Sequence, residues 1–572
     1  MHDLVIRGGT IVDGTGAAAY AGDVAVDGGR IGQVGGTAGA GAREIDAGGA
    51  MVMPGWVDVH THYDGQVTWD PLIGPSCWHG VTTIVMGNCG VGFAPVRPDQ
   101  HDMLIELMEG VEDIPGAALH EGVDWRWESF PEFMDALERM EHAIDIGVQV
   151  PHNPVRAYVM GEAASGERPA TDEEKARMAA IVEEGLSVGA LGFTTSRTKF
   201  HRTSKNEHVP SHFADLEELR AITQPMKKRG EGLIGVLSDF DEPDADMAGL
   251  RRLSAESGRP LYYLLVQFDD KPDKWRRLLD LSRPNGDGAQ IRPQVCPRPV
   301  GFFLGLECSL NPFMSKAAYK EVRDLPLAER VRRLRDPEMR RRILSEVRHH
   351  KSQIMKEVTT GFDKMFKLGD PPNYEPSQED SIAARAAREG RSPEDVAYDI
   401  LLERDGRELI FLPFTNYSSR NHDTIREMMT DEQALFGLGD GGAHCGLICD
   451  ASIPTYLLTH WVRDRSRGDR LPLEWIVHRQ TRANAAFFGL DDRGALAPGM
   501  KADINVIDFD GLQLRPPHIV RDLPAGGRRL IQEAQGYIAT VQSGAVTFEN
   551  GVHTGALPGG LVRGRQTGPE AA

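Results

Sequence analysis

Two histidines separated by one residue form the clearest chemical feature of the chain. His60 and His62 close an apolar run at residues 51–59, whose last part alternates valine with polar residues. This alternation is typical of a β-strand, on which side chains two positions apart project from the same face. Two imidazoles at this spacing can bind one metal ion. The pair predicts a metal site at the carboxyl end of a strand, although unrelated histidines at a strand end would give the same short motif.

Two further residues with side chains that can bind a metal follow apolar runs elsewhere in the chain. Cys89 lies in a Met-Gly-Asn-Cys-Gly segment that follows the apolar residues 81–85, and a thiolate is a ligand that zinc accepts readily. Asp440 lies among glycines in residues 437–444, and glycines allow the backbone to turn sharply and to approach a ligand closely. We therefore expect His60, His62, Cys89 and Asp440 to form one site.

Composition restricts the classes of partner. The chain has 572 residues, a formal net charge of −20 and 40% hydrophobic residues, with a mean hydropathy of −0.35. Its acidity argues against nucleic acid and anionic membranes, which attract basic surfaces. A small-molecule substrate is consistent with this charge, because its pocket can be locally positive. The sequence leaves a homo-oligomer open.

The ends of the chain and its cysteines indicate a cytoplasmic protein. The first residues resemble a strand and lack the basic and apolar regions of a secretory signal. No uninterrupted apolar stretch is long enough to cross a bilayer. The six cysteines are sparse and show no closely spaced zinc-finger pairs, so we expect free thiols in a reducing compartment.

The order of patterns along the chain predicts an α/β architecture. Short alternating segments cut by glycines occur at residues 4–52 and return at 503–551, which predicts a small β-sandwich built from both termini. Between them, strand-like runs alternate with helical patterns, as in a (β/α)8 barrel of the TIM type. The predicted barrel strands end near His60, Gly87, Val150, Thr195, Leu237, Leu265, Val295 and Asp440.

These patterns divide the chain into three parts. Residues 1–54 and 491–572 form the two halves of the sandwich, and residues 55–490 form the barrel. One barrel helix is well signalled, with Thr171 as its cap, Glu174 completing a capping box and an apolar stripe at residues 178–186. A charged, helix-rich insertion at about residues 310–405 interrupts the barrel pattern. It can be a lid over the active site, an oligomer contact or a solvated arm. The adjacent His349 and His350 within it are predicted to be ordinary surface residues of a basic helix.

Five motifs carry a resemblance to a known family. They occupy residues 4–16, 54–62, 87–90, 439–441 and 496–503. With these motifs the chain resembles the amidohydrolase superfamily and, within it, the D-aminoacylase (N-acyl-D-amino acid deacylase) branch, over nearly its whole length. The resemblance implies a barrel with its active site at the carboxyl ends of the strands, and a metal-dependent hydrolase of carbon–nitrogen bonds other than peptide bonds.

The chain departs from the family pattern at two metal ligands. Family members with a full metal centre carry histidines on the fifth and sixth barrel strands. By alignment these positions fall near Leu237 and Leu265, which cannot bind metal. The departure predicts one zinc ion, bound by His60, His62 and Asp440 with Cys89 as a fourth ligand, rather than two. His201 and His444 are candidates for a replacement ligand or for substrate binding, although an ordinary loop histidine is the more common explanation of each.

The leading functional hypothesis is hydrolysis of the amide bond of an N-acyl amino acid or related small molecule. The resemblance implies that the metal activates a water molecule and that Asp440 acts as general base, then returns the proton to the leaving nitrogen. Arg197 and Arg298 follow predicted strands and can bind a substrate carboxylate, although a structural salt bridge explains each arginine as well. The alternatives are a lactone or imide hydrolase, a deaminase, or a non-catalytic protein on the same scaffold.

Overall fold

A parallel barrel forms the centre of the molecule. The computed structural model describes residues 1–347 and 353–569, and in this part of the chain eight strand segments follow one another around the barrel. The barrel closes where the backbone N–H of Asp440 donates to the carbonyl of His60 (3.0 Å) and that of His62 donates to the carbonyl of Gly441 (2.8 Å). The barrel strands are Trp56–Asp58, Val81–Met86, Asp145–Val148 with its continuation Val150–Pro151, Gly192–Ser196, Leu233–Leu237, Leu261–Leu265, Ile291–Val295 and Leu435–Phe436.

Helices surround the barrel and bury its outer face. The helix Asp172–Ser187 begins as predicted, because the Thr171 side chain accepts a hydrogen bond from the backbone of Glu174 and the capping box is complete. The other helices between the strands or after the last one are His101–Glu112, Gly116–Gly122, Phe130–Glu138, His152–Met160, Leu216–Arg229, Pro243–Ser257, Lys274–Ser282, Asp423–Thr430, Ile453–Tyr456, Leu473–His478 and Asn484–Phe487.

Both termini contribute to one sheet beside the barrel. The strand Met51–Pro54 pairs antiparallel with Ile504–Ile507 and so joins the two ends of the chain. Residues from both ends also share an apolar core. Neither half therefore has to form a stable sheet from its own strands alone. The remaining strands of this sheet are His2–Ile11, Tyr20–Asp27, Arg30–Val34, Gly41–Asp46, Tyr537–Gln542, Ala545–Glu549 and Val552–His553.

Other C-terminal segments return to the barrel. The strand Leu561–Val562 pairs in parallel with the barrel strand Asp145–Val148, so the last part of the chain packs on the barrel. The hairpin His518–Leu523 and Gly527–Ile531 reaches the loop that follows the last barrel strand, where Leu530 N donates to the carbonyl of Cys445 at 2.6 Å. A further two-stranded sheet pairs Gln513–Leu514 with Ala534–Gln535.

The insertion between the last two barrel strands has its own apolar core. A three-stranded sheet of Gly301–Leu304, Phe366–Lys367 and Ile410–Pro413 connects it to the barrel. His349 and His350 lie outside the described residues. The helices of the insertion are Ala317–Lys320, Leu327–Leu334, Pro337–Ser345, Gln353–Thr360, Ile382–Glu389 and Pro393–Leu402.

This architecture confirms the predicted fold class, a (β/α)8 barrel with a sheet domain built from both termini. A search of the helices in the described ranges found none with the length and apolar character of a membrane span. The carboxyl ends of the parallel strands lie on one face of the barrel, and this is the face on which barrel enzymes place their active sites.

Candidate metal centre and active site

His60, His62 and Cys89 converge at the carboxyl face of the barrel. The histidines leave the first strand two positions apart, and their rings are 5.4 Å apart. Cys89 lies in the turn after the second strand, where Gly87 adopts a φ of 79° that favours glycine. All three side chains are buried, and one ligand atom from each lies within 4.8 Å of the others. The Cys89 sulfur is 3.3 Å from Nε2 of His60.

Asp440 completes this cluster from the loop that follows the last strand. Its Oδ1 lies 3.5 Å from Nε2 of His60 and 3.7 Å from Nε2 of His62, and this buried oxygen has no hydrogen-bond partner within the described residues. The neighbouring glycine is required by packing, because a Cβ on Gly439 would lie 2.2 Å from a carboxyl oxygen of Asp58. The structure thus brings together all four residues predicted to bind metal.

An acceptor orients the imidazole of His60 from behind, and a carboxylate lies close to that of His62. Nδ1 of His60 donates to Oε1 of Gln294 at 2.6 Å, which leaves Nε2 of His60 free to bind a metal. Nδ1 of His62 lies 3.5 Å from Oε1 of Glu112, whose side chain is only 2% exposed. Both His62 Nδ1 and Glu112 Oε2 lack a hydrogen-bond partner within the described ranges. A hydrogen bond between Nδ1 of His62 and Glu112 would give His62 the same arrangement that Gln294 gives His60.

Sequence reasoning missed Glu112 and Gln294. Glu112 is the last residue of the helix His101–Glu112, where a carboxylate faces the negative end of the helix dipole. An acidic residue at a helix C-terminus is unfavourable, and this was the available signal. Gln294 lies inside the seventh strand, and no pattern in the sequence distinguishes it from an ordinary buried polar residue.

The site carries an excess of buried acid. Burial raises the pKa of Asp58 to about 7 and that of Asp64 to about 8. Burial, reinforced by neighbouring carboxylates, raises the pKa of Glu112 and of Asp440 well above the ordinary values. Within the described part of the chain, none of these four carboxyl groups forms an ion pair with a lysine or arginine. A bound divalent cation would supply the missing positive charge.

The histidines have the opposite shift, which suits metal binding. Burial lowers the pKa of His60 to about 4 and that of His62 well below its usual range. Metal ligation needs the neutral imidazole, so this environment favours the binding form. The donor set of imidazole, carboxylate and thiol fits zinc.

His201 and His444 lie beside this cluster. Nε2 of His444 is 3.7 Å from Oε2 of Glu112, and its backbone N–H donates to the carbonyl of Glu112. Nδ1 of His201 forms a 3.0 Å hydrogen bond with the hydroxyl of Ser196. Burial, with the nearby His444 and His60 acting in the same direction, lowers the pKa of His201 to about 3. Neither residue belongs to the three-residue cluster of close ligand atoms.

The two candidate arginines differ. Within the described residues, Arg197 forms no ion pair, and its buried Nε has no hydrogen-bond partner. Arg298 is fully buried, donates to Oδ1 of Asp450 from Nε (3.2 Å) and Nη2 (2.6 Å), and stacks 4.0 Å from the ring of Tyr374. This geometry matches the structural salt bridge that the sequence left open for Arg298. Of these two arginines, Arg197 is the one with an unpaired side-chain N–H available for a substrate.

A second cluster of residues that could bind a metal is explained by an ion pair. Ligand atoms of Glu375, His422 and His460 also lie within 4.8 Å of one another. Arg465, however, donates to both oxygens of Glu375 at 3.1 Å, and Nε2 of His460 lies 2.9 Å from Oε2. The guanidinium already compensates the carboxylate, so we interpret this group as a buried ion-pair network.

Leucines occupy the ends of the fifth and sixth strands. Leu237 and Leu265 are the last residues of these strands, as the sequence predicted for the two positions that carry histidine in the family pattern. On this side of the site, Cys89 therefore has no imidazole from either strand.

Comparisons with known proteins agree with this fold. A model of the amidohydrolase family matches residues 43–548. The chain is 26% identical to an uncharacterized protein of Mycobacterium tuberculosis, over 99% of this chain and 95% of the relative. It is 34% identical to the N-acyl-D-aspartate deacylase of Alcaligenes xylosoxydans xylosoxydans, over 42% of this chain and 44% of that enzyme. The structure of N-acyl-D-glutamate deacylase from Bordetella bronchiseptica, complexed with zinc and a phosphonate inhibitor, superposes with a TM-score of 0.63 at 21% identity, covering 98% and 99% of the two chains. Because the family model spans most of the sequence, the chain belongs to the amidohydrolase family.

Proposed function

We propose that this amidohydrolase cleaves the amide bond of an N-acyl amino acid at a single zinc ion. One observation carries the proposal. The unpartnered Oδ1 of Asp440 lies 3.5 and 3.7 Å from the Nε2 atoms of His60 and His62, in a buried cluster that also contains Cys89. The substrate class is supported by the similarity to an N-acyl-D-aspartate deacylase.

The residues of the cluster fit zinc. His60, His62 and Asp440 would hold the ion, and Cys89 would be a fourth ligand, with a position left open for substrate or water. When bound, zinc polarises a carbonyl oxygen and increases the acidity of water. The leucines at the ends of the fifth and sixth strands support one ion rather than two, because leucine cannot replace the histidines that the family pattern has there.

Asp440 would move the proton in the reaction. As water attacks the amide carbon, a carboxylate oxygen of Asp440 accepts one of its protons. The carbon–nitrogen bond then breaks, and Asp440 gives the proton to the leaving nitrogen, so the products are a carboxylic acid and a free amine. Asp440 must be ionised to accept the proton. A cation beside it opposes the effect of burial on its pKa.

Glu112 would act as a positioning residue for His62. A carboxylate that accepts a hydrogen bond from Nδ1 fixes the tautomer with Nε2 unprotonated and raises the basicity of that ligand atom. Glu112 lies 3.5 Å from Nδ1 of His62 and is otherwise without a protein donor at Oε2 within the described residues. Gln294 has the corresponding role for His60.

Arg197 would bind the carboxylate of the substrate amino acid. It follows the fourth strand on the active face of the barrel and has no ion-pair partner in the described ranges. His201 and His444 lie near each other and near His60, and they would contact the polar atoms around the scissile amide.

A substrate panel tests the proposal. Purified zinc-loaded protein should release free amino acid from at least one N-acyl-D- or N-acyl-L-amino acid, measured by detection of the primary amine. Arg197→Lys should raise KM for that substrate more than it lowers kcat, because lysine keeps the charge and loses the bidentate geometry. Turnover of lactones or cyclic imides, with every N-acyl amino acid left intact, would contradict the proposal.

A further inference from the structure

Four phenylalanines from four separate segments of the chain meet on the active face of the barrel. We call Phe200, Phe268, Phe302 and Phe414 the phenylalanine cluster. Phe200 stacks on Phe268 with ring centroids 5.9 Å apart, and Phe414 lies 6.3 Å from Phe200 and 6.1 Å from Phe268. Phe302 stacks on Phe414 at 5.0 Å. Such spacings are those of rings in contact.

The cluster is open to solvent, unlike the apolar core. Phe200 is 54% exposed, and the other three rings are half-buried. On the strand Gly301–Leu304, Phe303 is buried, and Phe302, its neighbour, is on the opposite face. A contiguous group of apolar side chains that stays open to solvent is typical of a binding surface.

Hydrogen bonds connect the cluster to the segments that build the metal centre. Phe303 N donates to the carbonyl of Leu447 at 2.7 Å, which links the strand of Phe302 to the loop that carries Asp440 and His444. The backbone N–H of Asn416 donates to the carbonyl of Gln267 at 2.9 Å, which links the segment of Phe414 to that of Phe268. The cluster thus belongs to the rim of the active site.

Phe200 is also joined directly to the site. It immediately precedes His201, which is buried beside His444 and His60. Phe268 follows the carboxyl end of the sixth strand, on the same face of the barrel. Phe200 and Phe268 therefore place the cluster on the same face of the barrel as the zinc ligands.

We propose that the phenylalanine cluster binds the acyl chain of the substrate, and that this chain is a long apolar group. The inference rests on the proposed function and specifies its substrate class. An N-acyl amino acid has two groups that can be apolar, the amino-acid side chain and the acyl chain. The depth of the zinc ligands below the surface decides which of them the cluster binds. The zinc ligands are buried and Phe200 is largely exposed, so the bound group must extend from the buried centre to the rim. An amino-acid side chain is short, whereas an acyl chain can extend by many carbons.

Acyl-chain selectivity tests the inference. For one amino acid of the reactive configuration, we compare kcat/KM for its N-octanoyl and N-acetyl derivatives. The wild-type protein should prefer the octanoyl compound at least about tenfold, and Phe200→Ala should reduce this preference about tenfold, since each lost apolar contact costs a factor of this order. Phe200→Leu should restore most of it. Phe509→Ala, which removes a half-buried ring in the terminal sheet domain, should leave the ratio unchanged.

Two further measurements separate the alternatives. If Phe200→Ala instead changed the preference for N-acetyl-phenylalanine over N-acetyl-alanine and spared octanoyl selectivity, the cluster would bind the side chain and the inference would be overturned. Calorimetric titration with octanoate and with acetate gives a readout that does not depend on turnover. Phe200-dependent octanoate binding without hydrolysis of any amide would keep the acyl site and reject the proposed function. Hydrolysis with a ratio that is the same in wild type and Phe200→Ala would reject the acyl site alone.

Discussion

Replacing Glu112 tests whether the cluster is organised for metal binding. Glu112→Gln keeps an oxygen that can accept from Nδ1 of His62 but removes the negative charge 3.5 Å from that atom. We expect zinc to bind about tenfold more weakly, a loss of about 1.4 kcal/mol. Glu112→Ala removes charge and acceptor together, and we expect a loss of about a hundredfold, or about 2.7 kcal/mol.

The assay is competition for zinc between the metal-free protein and a chromophoric chelator. Glu109→Gln is the matched control, because Glu109 lies on the same helix with an exposed side chain. Thermal unfolding of the metal-free variants shows whether each remains folded. If both Glu112 variants were folded and bound zinc as tightly as the control, Glu112 would have no role in orienting His62, and the reasoning would be refuted.

Three other predictions concern catalysis, assembly and pH. Asp440→Asn should lower kcat roughly a hundredfold or more with an unchanged circular dichroism spectrum, because an amide cannot accept the proton from water; near-normal turnover would exclude the general-base role. Deletion of residues 500–572 should give insoluble protein, because it removes Ile504–Ile507 from the sheet built by both termini; a soluble, active truncation would show that this sheet is dispensable. Burial lowers the pKa of His79 to about 4 from its ordinary 6.5, so the unfolded chain takes up the proton first and stability is lost as the pH falls. Between pH 7 and about 4.5 the metal-free protein should lose about 2 kcal/mol of unfolding free energy through this group, measured by urea denaturation, and His79→Gln should lose correspondingly less.

Local patterns were sufficient for the fold. Each barrel strand is an apolar run with a clear end, and the predicted ends at Val150, Thr195, Leu237, Leu265 and Val295 fall within one residue of the observed ones. The first and last predicted ends, His60 and Asp440, lie two and four residues beyond the strands. There the chain continues along the barrel through single bridging hydrogen bonds. The family and the enzyme class predicted from the motifs are confirmed.

Contacts between distant segments were not predictable. Glu112 reaches His62 across 50 positions in the sequence, and the pairing of Arg298 with Asp450 depends on how the last loop folds back over the seventh strand. The phenylalanine cluster likewise joins four segments, each of which has the sequence of an ordinary loop or strand. Residue type and spacing identify ligands on strand ends, whereas the groups that orient those ligands depend on tertiary packing.

Zinc content is the most direct test of the central claim that His60, His62 and Asp440 bind one catalytic ion with Cys89 beside them. Elemental analysis of the purified protein after gel filtration should give about one zinc ion per chain. His60→Ala should empty the site, while Cys89→Ala should weaken binding without abolishing it. Two tightly held ions would mean that another residue replaces the missing histidines. No metal, together with no hydrolysis after zinc is added, would contradict the account.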